Sequence, residues 1–123
     1  MRNIFWLLIA LLLIGCTEAA ASPPANVSLL QLAEQPESSM EGLVDGTLTN
    51  VAGCVGLESA DATYTLIWPP DYDLTGSNVV LNGQTVATLG ETTAVSGGEP
   101  PSELVATLST SCQAPFWLVG NVQ

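Results

Sequence analysis

Asn78-Val79-Val80-Leu81-Asn82-Gly83-Gln84-Thr85-Val86-Ala87-Thr88-Leu89 decides the fold class. Two runs rich in β-branched residues stand on either side of Asn82-Gly83. A two-residue hairpin with a type I′ turn needs positive φ at both of its central positions, and Asn-Gly meets that need with the least strain. The residues outside this hairpin have the same texture. Leu43 to Leu48, Cys54 to Leu57, Tyr64 to Trp68, Thr92 to Val95, Leu104 to Leu108 and Phe116 to Val122 read as further short strands. Pro69-Pro70 stops the Tyr64–Trp68 run because proline cannot donate to a sheet ladder. Gly97-Gly98-Glu99-Pro100-Pro101 reads as a loop. Six to eight strands at this spacing predict an all-β domain over residues 42–123.

Two architectures fit that domain. The first is a small five- to six-stranded OB-like barrel, favoured by the length, the glycine-rich bends and the meander of consecutive hairpins. The second is an immunoglobulin-like β-sandwich, in which Cys54 and Cys112 would face each other across the sheets with Trp68 on the bridge. Position 110 is Thr, so the tyrosine corner of that sandwich is missing. Of the three cysteines, Cys54 and Cys112 make an even pair once Cys16 is set apart. A disulfide between them is expected.

Towards the N-terminus the texture changes. Residues 16–41 read as a flexible stalk, with Ala19-Ala20-Ala21-Ser22-Pro23-Pro24-Ala25 offering little to bury. Within it, Val27-Ser28-Leu29-Leu30-Gln31-Leu32 can form a short docking helix capped by Asn26, or can be a disordered tether with incidental leucines. Met1-Arg2-Asn3 precedes an uninterrupted apolar run, Ile4 to Ile14, too short to span ~30 Å of hydrocarbon. That run ends on Leu13-Ile14-Gly15-Cys16: a branched apolar residue, a tolerant position, a small residue and a cysteine. This pattern resembles the lipobox of bacterial lipoproteins. The resemblance implies that residues 1–15 are a signal peptide and that Cys16 receives the lipid. Thr17 rather than aspartate follows, which implies the outer membrane in a Gram-negative host, or the outer face of the plasma membrane in a Gram-positive one. The Gly-Cys-Val-Gly-Leu, Trp-Pro-Pro-Asp-Tyr, Asn-Gly and Gly-Gly-Glu-Pro-Pro segments are also similar to a pattern in uncharacterised small all-β envelope lipoproteins. That likeness implies no activity.

Composition limits the chemistry. The chain carries twelve acidic residues and one basic one, Arg2, with no histidine, for a net charge of −11. Residues 16–123 therefore hold no cationic side chain. Nucleic-acid binding is excluded as an expectation, since no side chain can displace condensed counterions. Imidazole-based triads, Schiff bases and phosphate clamps are excluded on the same count. The expected function is a non-catalytic binding or assembly module, held to the membrane by its lipid and recruiting an envelope protein or glycan. The alternatives are a structural envelope component without a specific ligand, and a hydrolase using Asp71, Asp73 or Glu99.

The densest candidate site is Trp68-Pro69-Pro70-Asp71-Tyr72-Asp73. Trp68 and Tyr72, with Phe116 and Trp117, can present an aromatic platform for a sugar or peptide. Strand alternation equally places Trp68 and one of Phe116 and Trp117 in the core. Asp71 and Asp73 offer hard oxygens two residues apart, with Ser77 or Asn78 to complete a calcium site. The EF-hand spacing is absent, and solvated turn acids are the simpler reading. No other cofactor is expected.

Overall fold

A computed structural model describes residues 26–36, 40–108 and 110–123. The lipobox-like Leu13–Cys16 segment and residues 17–25 of the expected stalk lie outside the described residues. The described chain is all-β with one short helix. Its elements are β1 (Leu30–Gln31), β2 (Gly42–Val51), β3 (Cys54–Glu58), β4 (Thr63–Trp68), β5 (Tyr72–Thr75), β6 (Asn78–Leu81), β7 (Gln84–Thr88), β8 (Thr92–Gly98), α1 (Ser102–Thr107) and β9 (Phe116–Val122).

Five of these strands close on themselves. β2, β3 and β4 form an antiparallel meander. β8 returns antiparallel to β2, and β9 returns antiparallel to β8. β9 then lies parallel to β4, pairing Thr65 with Phe116, Leu66 with Trp117 and Ile67 with Leu118. The circuit β2-β3-β4-β9-β8 is the OB strand order, with its single parallel contact where the circuit closes. The sandwich alternative gives way to it. Cys54 opens β3 while Cys112 sits in the loop between α1 and β9, so the bridge ties a loop to the ring and does not join two facing sheets. The two Cα atoms are 6.0 Å apart and 58 residues apart in sequence. In the chain-entropy account, a loop of that length stabilises the fold by about 4 kcal/mol.

The ring is filled by alternate side chains of its strands, among them Leu48, Val55, Leu57, Leu66, Trp68, Val95 and Val119, all fully buried. The β5-β6-β7 sheet, inserted between β4 and β8, adds Tyr72, Val79 and Ala87 to the same core. Its β6–β7 turn is the Asn82-Gly83 hairpin, with φ of 55° and 80°, as the sequence demands. A second, smaller core lies outside the ring. Ile67 and Leu118, on the outer faces of β4 and β9, pack with Leu32 and with the half-buried Leu30, Met40, Leu104, Leu108 and Phe116.

Three expectations are corrected here. Leu104 to Leu108 is not a strand: Ser102–Thr107 is helical, entered from Pro101, whose carbonyl accepts from the amides of Leu104 and Val105 at 3.1 and 3.2 Å. Glu103 in the first turn suits the positive end of the helix dipole. Gly97 and Gly98 belong to the end of β8 and not to a loop. Val27 to Leu32 is neither a helix nor a free tether. It is extended, and β1 pairs parallel to β4, Leu30 opposite Ile67 and Gln31 opposite Trp68.

Ring closure depends on Gly97. Its φ is +140°, and a Cβ there would overlap the Leu118 carbonyl oxygen and come within 2.9 Å of Trp117 Nε1. Gly83 also has positive φ, but nothing lies within 4 Å of its would-be Cβ. Gly97→Ala should therefore lower stability by about 3 kcal/mol or more, through backbone collision at the β8–β9 crossing. Gly83→Ala should lose about 1–2 kcal/mol, the cost of the left-handed conformation alone. Urea unfolding of the two variants measures the difference, and equal losses would contradict this account of closure.

Candidate functional site

The Trp68–Asp73 corner is built by the end of β4 and the start of β5. Pro69 and Pro70 break the ladder, and the Tyr72 amide donates to the Pro69 carbonyl at 3.3 Å, which turns the chain back. Strand alternation then sorts the side chains. Trp68 is fully buried beside Leu66, and Tyr72 is 3% exposed. Their rings meet at 5.2 Å between centroids with planes tilted by 54°, an edge-to-face type of contact. Asp71 and Asp73 are exposed on either side of Tyr72.

The four candidate residues Trp68, Asp71, Tyr72 and Asp73, a quartet at this corner, are thus divided by the fold. Trp68 and Tyr72 are core residues, and neither can act as a surface platform for a sugar or peptide. Trp117 is also turned into the ring, its ring 5.4 Å from that of Tyr64 with planes tilted by 59°, and it donates from Nε1 to the Ser96 carbonyl at 3.3 Å. Phe116 belongs to the outer core. What remains at the surface is the pair of carboxylates. Among the described residues, no three His, Cys, Asp or Glu side chains gather in a group that could hold a metal ion. Asn78, the proposed completion of a calcium site, accepts from the Thr88 hydroxyl at 3.0 Å through its side-chain oxygen. Glu99 is exposed as well.

Sequence reasoning missed the strap across this corner. Gln31 reaches over from β1 and donates from Nε2 to the carbonyls of Tyr72 at 2.5 Å and Pro69 at 3.3 Å. The Leu32 amide donates to the Trp68 carbonyl at 2.9 Å. Beside the strap runs a groove of 570 Å³, lined mainly by Leu30, Leu32, Leu104 and Leu108, with Gln31, Glu34 and Thr107 among its polar members. A second, of 380 Å³, lies between Val27, the Leu48–Asn50 stretch of β2 and the Ser77 and Gly90 turns. Neither lining contains a cysteine or a pair of carboxylates. The burial of Tyr72 could have been read from Tyr72-Asp73-Leu74-Thr75, which alternates as a half-buried strand does. No local signal marks Gln31.

No protein-family model matches this chain, and comparisons with curated proteins and with solved structures return no match.

Burial raises the Tyr72 pKa above 10.0, the Asp71 carboxylate raises it further, and the Val122 backbone acts in the opposite direction. The phenol is therefore neutral in the fold at pH values where it ionises in the unfolded chain. Its contribution to stability is full below about pH 10 and is lost as pH rises through the folded-state value. The chain has no lysine or histidine, so few other groups obscure this loss. Stability should fall on raising the pH from 9 to 12, and Tyr72→Phe should flatten that fall. An unchanged profile in the variant would assign the alkaline loss elsewhere.

Proposed function

We propose that this protein is a bacterial envelope lipoprotein, a non-catalytic binding or assembly module tethered through lipid on Cys16. The observation that carries the reading is Leu13-Ile14-Gly15-Cys16 at the end of an apolar run. Two or three acyl chains on one cysteine anchor stably where one would not, since each buried methylene contributes about 0.8 kcal/mol. Behind the anchor stands a domain whose only ionised side chains are carboxylates. Such a surface suits a partner protein or glycan that presents cationic groups, and repels anionic envelope polymers.

Asp71 and Asp73 are the members of the candidate quartet open to such a partner. Contact through them is ionic and weakens with salt. Metabolic labelling with an alkyne fatty acid should mark the wild type, and Cys16→Ser should abolish the label and release the protein from membranes. An unlabelled wild type would remove the anchor from the reading. Crosslinking in intact envelopes should capture a partner in a salt-sensitive manner, with capture reduced several-fold in Asp71→Asn/Asp73→Asn. A protein that is labelled but captures nothing would instead be a structural envelope component.

A further inference from the structure

β3 and β4 part company before either strand ends. They pair at Glu58–Thr63, Leu57–Tyr64 and Gly56–Thr65, and go no further. Beyond that point the residues that would face each other, Cys54 and Val55 on one side and Leu66 to Trp68 on the other, are separated by the strap. The Ser28 amide donates to the Gly53 carbonyl at 3.0 Å, and the Val55 amide donates to Ser28 at 3.0 Å. Four residues on from Ser28, the Leu32 amide donates to the Trp68 carbonyl at 2.9 Å. β9 holds the opposite edge of β4, where the Thr65 amide donates to Pro115 at 2.9 Å. The strap thus lies in a cleft of the sheet and bridges two strand edges that would otherwise be unpaired.

Its attachments are separable from those of the ring. The one buried strap residue, Leu32, belongs to the outer core with Ile67 and Leu118, whereas Val27 and Leu29 only half-bury against the ring core. None of the pairings of the five-strand circuit, nor the Cys54–Cys112 bridge, involves a strap residue. We propose that Val27–Leu32 is a releasable strap, and that the cleft it leaves accepts an extended segment in the same register. The occupant's chemistry is set by what the cleft now holds: aliphatic side chains at the Leu30 and Leu32 positions, and between them an amide able to donate to the Pro69 and Tyr72 carbonyls. This device stands apart from the lipid anchor and from any ionic contact at Asp71 and Asp73.

Hydrogen exchange on the intact protein in detergent tests the release. The Ser28, Leu32 and Val55 amides should exchange about tenfold or more faster than those of Leu48 and Thr65, with little dependence on low urea concentrations, as local opening requires. Equal rates with equal urea dependence would mean that strap and ring open together, and would overturn the proposal. Leu32→Asp should free the strap while Leu48 and Thr65 stay protected. Loss of their protection would likewise overturn it. A labelled peptide of residues 27–34 should then bind the Leu32→Asp protein, and its Gln31→Ala and Leu32→Asp counterparts should bind at least about tenfold more weakly. No binding, or equal binding by all three peptides, would refute the accepting cleft. Gln31→Ala in the protein is a milder second variant, expected to speed Leu32 exchange without affecting Leu48.

Discussion

The parallel pairing of β4 with β9 is the interaction on which the rest of the structure depends. Without it, β2, β3, β4, β8 and β9 would form an open, strongly twisted sheet with two exposed edges and a half-covered apolar face. With it, Leu66 and Trp117 turn into the ring while Ile67 and Leu118 turn out. One register therefore creates both cores. Thr65 secures the contact. It is completely buried, its amide donates to Pro115 and its hydroxyl donates to the Gln113 carbonyl at 2.6 Å. A buried polar group satisfied in this way fixes the geometry of its neighbours, because every alternative leaves a donor unpaired. The loop it holds is the one that carries Cys112.

That dependence explains which parts of the fold were legible in the sequence. The hairpin at Asn82-Gly83 and the ring strands have local causes: turn chemistry, β-branched runs and proline stops. Their number and order were enough to favour an OB-like closure over a sandwich. The pairing that closes the ring is non-local, joining residues near 66 to residues near 117, and no sequence pattern encodes it. Leu104 to Leu108 shows a different difficulty. A short apolar run fits a strand or a helical turn equally, and the nearby Pro101 and Glu103, which favour a helix start, carried the decision. β1 spans only Leu30–Gln31, too short for any periodicity to mark. Its conformation comes from the cleft that receives it.

The candidate site divides along the same line. Trp68, Asp71, Tyr72 and Asp73 were gathered because aromatics and acids cluster beside a proline turn. Strand alternation, a local rule, sends the aromatics inward and the acids outward. The surface chemistry of this corner is thereby reduced to carboxylates, and its buried chemistry to packing. Gln31, which binds the two carbonyls of the turn, was invisible because it comes from a segment that composition alone assigned to a stalk.

Charge and covalent closure are linked in this chain. A net charge of −11 with no cation beyond Arg2 means that residues 16–123 cannot form a single side-chain ion pair. Compaction brings like charges together, and the unfolded chain relieves that repulsion by expanding. A bridge between positions 54 and 112 limits the expansion, because it holds the two ends of the 54–112 segment together in the unfolded state as well. The disulfide therefore acts on two terms at once: it lowers chain entropy, and it reduces how far the carboxylates of that segment can separate when the fold is lost. A domain with balanced charge would gain only the first. An all-acidic domain of this size has few other ways to offset its own repulsion, since its core is small and its surface offers no opposite charge.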